Sequence, residues 1–150
     1  MAAPVLTQTI TAATAAVAST AVLGSSIPSS GEGPLSYYDS LDIEADLTGP
    51  TGGTLDVYVQ RSFDGGTTWR DYIHFPQVAA TVTTRFSVSP ALTNSIVTVG
   101  QGTSPALAAN TCAGGKWGPQ LRLVATTGVG TSVAGSVTVK FHFSRNEKHG

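Results

Sequence analysis

From Ser40 onward the chain alternates apolar and polar residues with the period of a β-strand. Leu41, Ile43, Ala45 and Leu47 share one parity, and Asp42, Glu44 and Asp46 take the other. Such alternation marks a sheet with one buried and one wet face. Gly49-Pro50-Thr51-Gly52-Gly53 interrupts it as a turn. Leu55, Val57 and Val59 resume the pattern, with Asp56, Tyr58 and Gln60 opposite. Asp64-Gly65-Gly66 is a tight turn, after which Trp69–Phe75 returns as a strand. In that strand Trp69, Ile73 and Phe75 share a parity against Arg70, Tyr72 and His74. Further strands are predicted at Thr81–Val88, Ile96–Val99, Leu121–Ala125 and Val133–Phe143, the last turning Val137, Val139, Phe141 and Phe143 inward. Gln101–Pro119, rich in Gly, Ala and Thr, reads as a long loop. Seven or eight strands without an amphipathic helix predict an all-β antiparallel sandwich, jelly-roll or immunoglobulin-like, with a closed barrel as the alternative.

The N-terminal part differs in kind. Met1 to Gly31 holds no Lys, Arg, Asp, Glu or His, and small apolar residues are scattered among hydroxyls. Thr and Val favour extended backbone, and Thr7-Gln8-Thr9-Ile10-Thr11 shows a period of two. Residues 1–34 are therefore expected to form an extended, uncharged arm and linker, 35–144 the sandwich, and 145–150 a polar tail. An uncharged extended segment suits strand addition to a neighbour, since no charge blocks its edge. Val5, Leu6, Thr7, Thr9, Ile10, Val17, Val22 and Leu23 are the expected contact residues. On this reading, deleting Met1–Gly31 leaves a folded domain that has lost its partner.

Composition narrows the chemistry. Only 11% of the 150 residues are charged, against about 25% in ordinary soluble domains. A surface partly covered by partners accounts for that deficit. The net charge is -1, and the eight basic residues form no run, so nucleic acid is not an expected partner. No stretch reaches the roughly 20 apolar residues of a membrane span. The first residues lack the basic start of an export signal, which points to assembly in a cytoplasm. The single Cys112 excludes an internal disulfide and reads as a small packed or half-exposed loop residue.

No catalytic, cofactor or metal set emerges from the spacing. Asp42, Glu44 and Asp46 spread over roughly 13 Å of one strand, too far for one calcium ion. They are expected on a solvated face with Arg122 and Lys140 as cross-strand partners. His74, His142 and His149 stand at no metal-ligand spacing, the first two reading as exposed sheet residues. No Gly-x-Ser-x-Gly elbow is present, so an enzyme is not expected. A carbohydrate-binding module, stacking sugars on Trp69, Tyr72, Trp117 or Tyr37-Tyr38, is an alternative.

The sharpest motif is Ser62-Phe63-Asp64-Gly65-Gly66-Thr67-Thr68-Trp69. Its Ser62, Asp64, Gly66, Thr68 and Trp69 resemble the Asp-box of sialidases and related β-propellers, where the box is structural. One copy in a chain this short supports a hairpin and no glycosidase activity. The longer block Leu55–Phe75, with its Asp-Gly-Gly-Thr-Thr-Trp hairpin and aromatic return strand, is similar to small β-sandwich structural proteins of tailed bacteriophage virions. That resemblance implies a non-enzymatic capsid decoration, or cement, protein on the outer surface of the virion. It would bind the major capsid protein and neighbouring copies of itself, as a homo-oligomer. A tail, neck or tail-tip component is the alternative it leaves open.

Overall fold

The computed structural model describes residues 5–12, 21–23, 25–28, 33–50, 52–79, 83–90, 107–127 and 135–145. It is an all-β sandwich of two antiparallel sheets. The strands are β1 (Val5–Ala12), β2 (Ala21–Leu23), β3 (Ser40–Thr48), β4 (Leu55–Ser62), β5 (Arg70–His74), β6 (Thr83–Val88), β7 (Thr111–Cys112), β8 (Gln120–Thr127) and β9 (Gly135–Ser144). One sheet runs β1-β9-β3-β6 and the other β2-β8-β4-β5-β7. Two separate sheets replace the alternative of a closed barrel. The strand expected at Ile96–Val99 lies outside the described residues.

The alternation read from the sequence sets the register. Leu41, Ile43, Ala45 and Leu47 of β3 stand directly opposite Phe143, Phe141, Val139 and Val137 of β9, and all eight are buried. A shift of one residue would turn both rows to solvent, so the pairing is tightly specified. Leu55, Val57 and Val59 of β4 and Leu121, Leu123 and Ala125 of β8 close the core from the second sheet. One end is capped by Trp117, whose indole N–H donates to the Leu35 carbonyl at 2.9 Å and whose ring meets Phe143 edge-on.

The boundary at 34/35 is corrected. Residues 5–12 and 21–23 are edge strands of the domain's own sheets, β1 antiparallel to β9 and β2 antiparallel to β8. Ile27 is buried and exchanges two backbone hydrogen bonds with Leu121. The same uncharged Thr/Val pattern that suits a neighbour's edge suits the molecule's own.

The second sheet departs from simple alternation. A bulge between Val59 and Gln60 shifts the register against β5, adding a residue on the β5 side there. Tyr72 and Ile73 consequently both enter the core, and Asp71 and His74 are buried on the other face. His74 is thus no exposed sheet residue. Its outer side is covered by the segment beginning at Leu107, which packs with Tyr58 and Val124 in a second small core.

Candidate interaction surfaces

The hairpin between β4 and β5 is built from short polar side chains. The Ser62 hydroxyl donates to Asp64 Oδ1 at 2.8 Å and accepts from the Gly66 amide at 2.9 Å. The same carboxylate oxygen accepts from the Thr68 amide at 2.8 Å. Trp69 Nε1 closes the loop by donating to the Gly66 carbonyl at 2.9 Å. Gly65 and Gly66 take the left-handed backbone that this tight reversal requires. The Thr68 amide, with the Thr68 and Ser62 hydroxyls, holds the Asp64 carboxyl down at about 2. The hydroxyl of Ser62, one carboxylate oxygen of Asp64 and the indole N–H of Trp69 are thus spent on the turn itself.

On the outer face of the second sheet a row of polar side chains fastens Leu107. The Arg122 guanidinium lies 4.3 Å over the Trp69 ring and its Nε donates to Gln60 Oε1 at 2.9 Å. Gln60 Nε2 donates to Asp71 Oδ1 at 2.8 Å. Asp71 Oδ2 accepts from the Leu107 amide at 2.9 Å. The Leu107 carbonyl lies 2.7 Å from His74 Nδ1, and His74 Nε2 lies 3.0 Å from Asp56 Oδ1. The His74 ring stacks on Tyr58 at 3.9 Å between centroids. Burial, with Asp56 and Asp71 nearby, pushes the Tyr58 hydroxyl up to about 12. Pattern reading missed this row; the polar parity of β4 and β5 was its one signal.

The acidic face of β3 is arranged differently from expectation in one respect. Glu44 does stand opposite Lys140, but Arg122 belongs to the other sheet and serves Gln60. Asp46 instead receives Arg85 from β6, through Nε at 2.7 Å and a second nitrogen at 3.0 Å. That bond holds the Asp46 carboxyl below the usual carboxylate range. Glu44 also faces His142 Nε2 at 3.4 Å, and Ser89 donates to Asp42. Among the described residues no three His, Cys, Asp or Glu side chains are grouped to hold a metal ion.

The aromatic residues considered for sugar stacking are mostly committed to the fold. Trp69, Tyr72 and Trp117 are buried, so none offers a face to a glycan. Tyr38 packs against Phe143, and Tyr37 alone of the five is largely exposed.

The remaining surface is the side where both sheets end in N-terminal strands. β1 packs against β2 and β8 of the opposite sheet. Val5, Thr7 and Thr9 point outward, Leu6 is half-buried against the core, and Gln8 is buried. A cleft of about 450 Å³ opens between Val5–Thr9 and Ser25–Ile27. Gln8 is among its lining residues, and the Gln8 amide is buried with neither nitrogen nor oxygen hydrogen-bonded. Ile10 pairs with Val137, while Val22 and Leu23 pair with Ala125 and Val124. Val17 lies outside the described residues, as does His149. Thus the structure brings seven of the eight expected contact residues to one side of the sandwich, as parts of its edges. No protein-family model, no curated protein and no solved structure matches this chain.

Proposed function

We propose that this protein is a non-enzymatic structural subunit of a bacteriophage virion, a capsid decoration protein that binds the outer shell and bridges neighbouring capsomers. The observation that carries the reading is the edge strand β1. Its eight residues contain no charge and no proline, and among the described residues its one hydrogen-bonded neighbour is β9. Edge strands of ordinary domains are blunted by charge, proline or bulges, because a flat open edge pairs with other chains. Here the edge is left fit for pairing, beside a cleft lined by the Val5–Thr9 segment itself. Strand addition from the major capsid protein, or from another copy of this chain, would satisfy such an edge. The Asp-Gly-Gly-Thr-Thr-Trp hairpin supports the same assignment through its likeness to virion sandwich proteins. Contacts available only on the finished shell stabilise it by mass action, and repetition over a lattice multiplies modest affinities.

Cosedimentation with purified empty phage heads tests the proposal. Wild-type chain is expected to bind stoichiometrically, and the double substitution Thr7→Lys and Thr9→Lys to lower affinity by about tenfold or more, since charge on an edge opposes pairing. Equal binding by the variant overturns the edge contact. Absence of wild-type binding to heads overturns the decoration role and moves the assignment to the tail or neck.

A further inference from the structure

At the hairpin end of the second sheet, two arginines face each other. Arg61 of β4 pairs directly with Arg70 of β5, so both side chains leave the same face one strand spacing apart. Like charges placed so repel. Arg61 is fixed in place: one terminal nitrogen donates to the carbonyls of Gly114 at 3.0 Å and Lys116 at 2.7 Å. Its guanidinium lies over the rings of Tyr72 at 4.6 Å and Phe63 at 5.4 Å. Carbonyls and rings orient a cation without cancelling its charge. Burial pushes the Arg61 pKa below the ordinary arginine value, and its Nε is buried without an acceptor. Arg70 makes no ion pair with any described residue.

Both arginines line a cleft of about 220 Å³ with Phe63, Asp64 and Thr68. Asp64 adds an ionised carboxylate there, turned through Oδ1 to Ser62 and Thr68, so the cleft holds two positive charges against one negative. Phe63 is 59% exposed. Its ring rests against Gly118, where even a Cβ would come within 3.0 Å of it.

We propose that this cleft recognises a carboxylate, an Asp or Glu side chain carried on an acidic segment of a partner protein. A guanidinium fork matches a carboxylate in geometry as well as charge. Phe63 supplies apolar surface for the methylenes behind it, the Arg-plus-aromatic pairing common at binding hot spots. The cleft is smaller than the roughly 300–1,000 Å³ of small-molecule sites, which suits a side chain better than a nucleotide or sugar. The surface is separate from β1, so it stands or falls independently of the edge contact.

The test is an amide-resolved NMR titration of the isotope-labelled full chain with hexaglutamate peptide, hexaglutamine peptide and sodium sulfate at constant ionic strength. Hexaglutamate is expected to shift the amides of residues 61–70 and 114–116 saturably, and hexaglutamine to leave them unmoved. Arg70→Gln is expected to weaken binding about fivefold or more and Arg70→Lys to recover part of it, while Arg145→Gln binds as wild type. Phe63→Ser, outside the core, is expected to weaken binding about threefold, which keeps the test alive if the Arg70 variants misfold. Undiminished binding by a folded Arg70→Gln, or equal binding of hexaglutamine, overturns the proposal. Sulfate bound in the cleft as tightly as the peptide also overturns it, since the ligand would then be a free oxyanion. The Thr7→Lys and Thr9→Lys chain is expected to bind hexaglutamate normally, so the two contacts fail separately.

Discussion

Asp64 sits fully exposed yet behaves as a structural residue, because its hydrogen bonds are local and charge-assisted. Thr68 and Ser62 bond to the ionised carboxylate and hold its pKa at about 2. A carboxyl depressed on folding stabilises the native state above its unfolded pKa, near 3.9, and that contribution fades as pH falls through the folded value. Comparing thermal melts of wild type and Asp64→Ala across pH 1.5 to 6 checks this: the gap in Tm is expected to be constant above about pH 5 and to narrow steadily below about pH 4. A gap independent of pH would mean that the ionised carboxylate contributes nothing. Ser62, Asp64, Gly66, Thr68 and Trp69 were legible in the sequence because each acts within a few residues of the others. Arg61 and Arg70 were not, because their opposition depends on the register of two strands, which the bulge at Val59/Gln60 sets.

At the level of elements, β3 and β9 show how far alternation reaches. One buried and one wet face give each strand a single acceptable register, so their core rows could be read before any pairing was known. β5 shows where it stops. Its outer face is covered by the segment from Leu107, and a covered sheet face no longer distinguishes polar from apolar parity. What the pattern reads as a solvated row is instead the chain Arg122–Gln60–Asp71–Leu107, closed by His74 and Asp56. Asp71 is its hinge, accepting from Gln60 and from the Leu107 amide while fully buried. Asp71→Ala strands two buried donors and is expected to cost about 3 kcal/mol. Urea unfolding gives that figure, and amide exchange at Leu107 is expected to accelerate well beyond that at Phe141 in the core. Protection at Leu107 equal to wild type would show that apolar packing with Tyr58 and Val124 alone holds the segment.

For the whole molecule, the decisive question is whether the uncharged N-terminus is an appendage or a wall. Composition argued for an appendage, since charge vanishes abruptly before Glu32. Pairing argues for a wall: β1 closes the four-stranded sheet and β2 the five-stranded one. Local pattern names a strand but not its partner, and an edge is where the two possibilities look most alike. Deleting residues 1–31 removes the neighbour of β9, the neighbour of β8 and the buried Ile27 with its two backbone bonds to Leu121. Two long strands rich in Val, Leu and Phe would become edges at once, and such edges aggregate. The truncated chain is therefore expected to elute as large species, or to unfold at markedly lower urea than the intact protein. The Thr7→Lys and Thr9→Lys chain, which keeps both strands and alters outward-pointing side chains, is expected to remain folded with a urea midpoint close to wild type. Size-exclusion chromatography and urea unfolding on the three chains decide the matter. A monomeric, fully stable truncation would return residues 1–31 to the status of an arm. Its failure beside a sound double-lysine chain would mean that the N-terminus builds the sandwich first and offers its outer edge to a partner second.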